Sequence, residues 1–156
     1  WIRWWLRRRD VDLMDVRHAT VADIPRLCEL AALEHAASRF KQHPVDPAFA
    51  AANFAAVIGG MQSRVFISES GGGFIAGFVQ NKLFNKFMTA YELAWYARDG
   101  SGLALLAAFT AWAKKMRALD LVVSDYAGIK DEAKFKRVMT RAGFAVLGTT
   151  YTKPLN

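Results

Sequence analysis

The sequence predicts one mixed α/β domain whose elements run β-α-α-β-β-β-α-β-α-β-β, with helices on both faces of a mixed sheet. Three observations carry this. Short β-branched and aromatic runs alternate with segments whose apolar residues recur every three or four positions. Two strand-like runs bracket the triplet Gly71-Gly72-Gly73, as in an antiparallel hairpin. At 156 residues the chain suits one core, and a second would be hard to build.

The elements follow in order. Asp15 to Ala19 reads as a short strand. Thr20 and Asp23 are both capping types, and Pro25 favours Asp23 as the cap of a first helix. Ile24, Leu27, Cys28, Leu30, Ala31 and Leu33 form its apolar face, running towards Phe40. A second helix opens with Asp46 as cap and Pro47 as first residue. Phe49, Phe54, Val57 and Ile58 are its expected buried set, and Gly59-Gly60 its stop. Arg64 to Ser68 and Phe74 to Val79 make the hairpin, and Thr89 to Ala97 is a further strand. After Gly102 the spacing of Leu105, Leu106, Phe109, Trp112, Ala113 and Met116 is helical. Lys114, Lys115 and Arg117 sit where cations complement the helix dipole. Leu119 to Val123 reads as another buried strand. Asp131 caps a helix carrying Phe135, Val138, Met139 and Ala142, which Gly143 closes. Phe144 to Val146 and Thr149 to Lys153 are the last two expected strands.

Composition narrows the classes. Hydrophobic residues make up 53% and charged residues 22%, an ordinary globular balance, with 13% aromatic. A single cysteine, Cys28, excludes an internal disulfide framework and suits a reducing, cytoplasmic setting; on an apolar helix face it reads as a buried structural thiol. His18, His35 and His43 show no metal-ligand spacing. The net charge of +7 favours anionic partners, but Arg3, Arg7, Arg8 and Arg9 crowd the first ten residues. Residues 1–13 hold four Arg and two Asp, so +5 remains without them, too mild for a nucleic-acid-binding face. We read 1–13 as an extension outside the domain, with Met14 opening a single domain over 14–156. The alternative is a Trp/Arg arm for a membrane surface or nucleic acid. No later segment reaches the length of a membrane span.

The informative stretch is Tyr91 to Leu103. A strand feeds the turn Arg98-Asp99-Gly100-Ser101-Gly102, and a helix starts at once. The first N–H groups of a helix lack internal partners and attract negative charge. Glycines admit a diphosphate close to the backbone, and Ser101 and Arg98 can add side-chain donors. This is not a P-loop, because no Lys-Ser or Lys-Thr follows the glycines, and the dinucleotide fingerprint's third glycine is missing. A plain tight turn is the competing reading.

In order and spacing, Val16-Arg17-His18-Ala19-Thr20 with Asp23-Ile24, Ile75-Ala76-Gly77, Glu92-Leu93-Ala94-Trp95-Tyr96, Arg98 to Leu106, and Arg141-Ala142-Gly143-Phe144 resemble the GNAT superfamily of N-acetyltransferases, in its short phage and bacterial form. The resemblance spans roughly Val16 to Leu155. It implies a splayed mixed sheet with acetyl-CoA as co-substrate in the split, and acetyl transfer to a primary amine of a small molecule or protein. By this resemblance Trp95, Tyr96 and Ala97 pair with the pantetheine arm, and Arg98, Asp99, Gly100, Ser101, Gly102 and Leu103 hold the diphosphate. Ala97 stands where relatives carry Gln or Arg.

An alkyl amine with a pKa of about 10.4 must lose a proton before it attacks a thioester. The resemblance makes Glu92 the general base; the competing reading is a solvated or salt-bridged strand-edge Glu. Met139 stands where many relatives have a general-acid Tyr, so either CoA leaves as a thiolate stabilised by backbone N–H groups and solvent, or the hydroxyl of Ser124 or Tyr126 substitutes. Relatives often dimerise. The alternative function is a catalytically weak acyl-CoA sensor or interaction module, and a basic nucleic-acid-binding domain ranks third.

Overall fold

The computed structural model describes residues 16–38, 40–124, 132–148 and 153. Strand β1 is Val16–His18, helix α1 Ile24–Ala37, α2 Pro47–Gly59, β2 Ser63–Ser68, β3 Gly73–Asn81 and β4 Met88–Ala97. Helix α3 (Gly102–Lys115), β5 (Ala118–Val122) and α4 (Glu132–Arg141) follow. A five-stranded sheet takes the order β1-β2-β3-β4-β5. The first four strands are antiparallel neighbours, and β5 joins β4 in parallel after the α3 crossover.

Both faces of β2 and β3 are covered, which is why they read as nearly continuous apolar runs. Alternation then sorts their side chains between two cores. Val65, Ile67, Phe74 and Ala76 pack with Leu27 and Leu30 of α1 and Phe54 of α2. Phe66, Ile75, Val79 and Ala90 pack with Leu105, Phe109 and Trp112 of α3 and Met139 of α4. The expected helices on both faces are present. Residues 1–13 lie outside the described residues, as do Met14 and Asp15 of the opening.

The second helix starts as read: the Asp46 carboxylate accepts the Phe49 N–H at 3.0 Å, and Pro47 fills the first turn. Asp46→Ala is expected to cost about 1 kcal/mol, visible as a Tm lower by a few degrees in a thermal melt.

Four expectations are corrected. The strand expected over Leu119 to Val123 forms but is not buried: β5 ends the sheet order, and Leu119 lies open to solvent. Asp23 precedes α1 without capping it by its side chain. Its carboxylate instead accepts the Thr20 N–H at 2.8 Å and forms an ion pair with Arg17 at 2.8 Å. A short 3-10 turn, Val21–Asp23, therefore intervenes before α1. That guanidinium, with the Thr20 donors, outweighs burial and holds Asp23 well below the usual carboxylate range. Phe49 is exposed rather than buried, because five residues separate it from Phe54 and turn it about 140° round the helix. Phe144 to Val146 forms no ladder among the described residues. Phe144 packs on the core, but Val146 and Leu147 lie open to solvent; apolar residues make a strand only where a neighbour and a covering layer receive them. The last expected strand, Thr149 to Lys153, lies outside the described residues except Lys153, as does the Asp131 cap.

Candidate functional site

Among the described residues the sheet opens between β4 and β5, and the chain explains why. β4 and β5 pair only from Met88↔Ala118 to Tyr91↔Val122, so residues 92–97 of β4 continue without a β5 neighbour. On the other side, β4 stays registered with β3, but Ala76 faces Ala94 while Gly77 faces Glu92. Leu93 is thus an extra residue, a β-bulge, and a bulged strand bends and twists more strongly. The bend begins one residue beyond the last β4–β5 pair. Gly77 lets this happen, because a side chain there would collide with the Phe109 ring and the Tyr91 carbonyl.

At the far end of this split sits the glycine turn. Gly100 has φ +85°, a conformation that favours glycine. Ser101 precedes α3, and the first helical bond runs from Leu105 N–H to the Ser101 carbonyl. The N–H groups of Gly102, Leu103 and Ala104 have no acceptor among the described residues, as expected at a helix start. Arg98 and Leu103 are exposed; Trp95, Tyr96, Ala97, Ser101 and Gly102 are half-buried. The Arg98 N–H donates to the Gly72 carbonyl at 3.1 Å.

Asp99 takes a different part from its neighbours. Its carboxylate accepts hydrogen bonds from the hydroxyls of Ser68 (2.7 Å), Ser70 and Ser101, and from the Ser101 N–H (3.0 Å). Burial works to raise its pKa, but these four donors together hold it well below the usual range. Ser68 also accepts the N–H groups of Gly72 and Gly73. A Cβ on Gly72 would lie 2.6 Å from Asp99, so the glycine is needed for this approach. Asp99 therefore clamps the loop to the β2–β3 turn.

Two carboxylates end in the split. Glu92, next to the bulge, accepts the Ser124 N–H at 3.1 Å, bridging from β4 to the residues that follow β5. Burial pushes its carboxyl up to about 7; the Ser124 hydrogen bond opposes this and the charge of Glu34 adds to it. Burial raises the pKa of Glu34, in the last turn of α1, against the opposing influence of the Trp95 backbone and of His35. No basic side chain among the described residues forms an ion pair with either. The sequence reading missed Glu34. The helix also carries Arg26, Glu29 and His35, so nothing in the sequence set Glu34 apart.

No protein-family model matches the chain, and no curated protein does. Solved structures do. The integron cassette protein HFX_CASS3 from the mobile metagenome of Cole Harbour Salt Marsh superposes with a TM-score of 0.71 at 18% identity, covering 92% of each chain. A putative acetyltransferase from Arthrobacter sp. FB24 gives 0.69 at 18% identity, covering 90% of each. AAC(6')-Iy in complex with the bisubstrate analog CoA-S-monomethyl-acetylneamine gives 0.69 at 12% identity, covering 91% of this chain and 97% of its own. The chain has the GNAT fold.

Within the GNAT fold, the structure brings Glu92, Trp95, Tyr96, Ala97 and the loop 98–103 to one split sheet edge and adds Glu34. Met139 is buried in the α3-side core. Ser124 contacts Glu92 through its backbone, and Tyr126 lies outside the described residues. Cys28 is half-buried against the α1–α2 core, where burial raises its thiol pKa. No group of three or more His, Cys, Asp or Glu among the described residues is arranged to hold a metal ion. No helix there is long and apolar enough to cross a membrane.

Proposed function

We propose that the chain, as one domain over residues 14–156, is an acetyl-CoA-dependent N-acetyltransferase acting on a primary amine. The observation that carries this reading is the β4 edge, open among the described residues and ending in three N–H groups at the start of α3 with no acceptor there, with a half-buried carboxylate at the bulge. Helix-terminal amides suit a diphosphate, and each glycine of the loop leaves room for it. An exposed strand edge suits the amides of an extended arm, which pair with backbone as a further strand would. The AAC(6')-Iy complex with a CoA-linked analog gives the same fold a ligand of this chemistry.

The reaction asks little of the protein beyond position and one proton transfer. The amine nitrogen bonds to the thioester carbonyl carbon, the C–S bond breaks, and CoA leaves as a thiolate. The substrate ammonium first gives one proton to Glu92, directly or through a water, and the second proton, shed by the nitrogen as the amide forms, goes to the departing thiolate or to solvent. A base with a pKa near the working pH is best placed for that role, and Glu92 has one. Arg98 is exposed beside the loop and supplies a cation towards the phosphates.

The test is thermal. Acetyl-CoA at about 100 times its Kd is expected to stabilise the protein by about 2.7 kcal/mol, raising Tm by several degrees. Gly102→Glu sets a carboxylate at the helix start, where the dipole tolerates it and a Cβ meets only ordinary contacts at 3.6 Å. That variant should fold and lose the shift. An unchanged Tm for the wild type at saturating acetyl-CoA removes the proposal. The acyl-CoA sensor reading parts from it on turnover: binding without CoA release across a broad amine panel favours the sensor.

A further inference from the structure

An ionised carboxylate repels a diphosphate, yet Asp99 sits inside the loop proposed to hold one. Its two oxygens have separate partners. Oδ2 accepts the hydroxyls of Ser68 (2.7 Å) and Ser70 from the β2–β3 turn, and Oδ1 accepts the N–H (3.0 Å) and the hydroxyl of Ser101. The Ser68 oxygen in turn accepts the N–H groups of Gly72 (3.1 Å) and Gly73 (3.0 Å), which engages both its lone pairs. Only a side chain that accepts on both oxygens fits this cradle. An asparagine would set its NH2 either against Ser68, whose lone pairs are taken, or against the Ser101 N–H, donor to donor. The turn is shaped to the loop as well: a Cβ on Gly73 would lie 2.6 Å from the Ser101 Oγ.

We propose that Asp99 is a positioning residue that fixes Ser101 at the mouth of α3, so that the amides of Gly102, Leu103 and Ala104 are aimed at the coenzyme diphosphate before it arrives. This deepens the acetyl-CoA reading above and rests on it. Both donors of Ser101 are turned to Asp99, so Ser101 lends the diphosphate nothing. The three amides beyond it, which have no acceptor among the described residues, carry the contact. The donors round the carboxylate spread its charge and offset the repulsion. The gain lies in order. A chain of Gly100-Ser101-Gly102 loses much conformational freedom when fixed, and fixing it in the free protein removes that loss from the binding step. The Arg98 N–H, bonded to the Gly72 carbonyl at 3.1 Å, ties the start of the same loop to the same turn.

Calorimetric titration tests the sign of the effect. The ligands are acetyl-CoA and 3′-phosphoadenosine 5′-diphosphate, which keeps the phosphates and lacks the arm. Asp99→Asn is expected to weaken both by about tenfold, the scale of one hydrogen bond to a charged group. Ser70→Ala removes one strut of the clamp and should weaken both by about threefold. The double variant should bind no worse than Asp99→Asn alone, because both changes act through one clamp. Unchanged or tighter binding in Asp99→Asn overturns the inference, and so do losses that multiply in the double variant. A lower Tm with wild-type affinity, measured well below that Tm, marks a structural role and overturns it too. Failure of the wild type to bind either ligand overturns the acetyl-CoA reading and this inference with it. Unmodified, 15N-labelled protein gives a check that needs no variant. In the free protein the Ser101 amide should exchange with deuterium slowly and those of Gly102 and Leu103 fast. The armless ligand should slow the latter two and leave Ser101 as it was. A Ser101 amide that exchanges freely until ligand is added refutes the preset loop, even if Asp99→Asn does not fold, and leaves the acetyl-CoA reading standing.

Discussion

Glu92→Gln is expected to lower kcat for amine acetylation by about 100- to 10,000-fold, the range for losing a positioned general base, while acetyl-CoA affinity changes little. Stopped-time CoA release and titration calorimetry measure the two halves separately. The pH profile gives an independent check. In the wild type, Glu92 must be ionised to accept a proton, so kcat/KM should climb as pH rises through about 7. That limb should vanish in Glu92→Gln. Stability moves the opposite way. The folded carboxyl has its pKa raised from 4.5 to about 7, so below 4.5 both folded and unfolded forms are protonated and burial carries no charge penalty. Between 4.5 and about 7 the penalty grows, and above it the penalty is complete. Glu92→Gln should therefore raise Tm more at pH 8 than at pH 5. A variant that loses activity and shows this gain has lost a base rather than a fold. If kcat falls less than threefold, the carboxylate is a bystander.

Gly77→Ala is expected to be the most damaging single-methyl change in the described chain, at about 3 kcal/mol and a fall in Tm of roughly 10 °C. The added carbon would overlap both the Phe109 ring, itself fully buried, and the backbone carbonyl of Tyr91. A ring locked between Trp112 and the sheet cannot step aside, and a strand carbonyl moves only with its strand. Because Gly77 faces Glu92 across the bulge, any folded fraction should also show reduced turnover. Gly102→Ala is the control: its nearest contacts, the Ala97 Cβ and the Trp95 ring, lie at 3.6 Å, so its Tm should hold within a few degrees. Equal losses from both alanines would refute the steric account. Differential scanning calorimetry of the pair decides it.

Most of the architecture was legible because each element carried its own local signal: Asp46-Pro47 for a helix start, the glycine triplet for a hairpin, three-and-four spacing for α3. The opening of the sheet was not. It depends on Leu93 having no partner, and a register shift leaves no mark in a strand whose apolar residues run almost without break. Asp99 looked like one more member of an anion loop. Two of its three serine partners, Ser68 and Ser70, lie about thirty residues upstream, and only the folded hairpin brings them near. Glu34 was hidden for a similar reason, since only the fold brings it near Glu92, whose carboxyl feels its charge. Phe49 and Phe144 to Val146 show the converse: apolar identity promises burial, but helix phase or the presence of a neighbouring strand decides it. Glu92 stood out from its strand and family likeness, and the burial that raises its pKa came only with the fold.

The short parallel ladder has a consequence for motion. Residues 16–97 form a meander in which every strand leans on its predecessor, whereas β5 grips the sheet through four rungs at its margin. Deuterium should enter the amides of 118–122 well before those of 63–68 and 73–79, which are sandwiched between two layers. The cleft's width is then governed by how firmly that outer strip is latched. Ligands that span both banks, from the β4 edge to Ser124, should slow its exchange more than any that touch one bank alone.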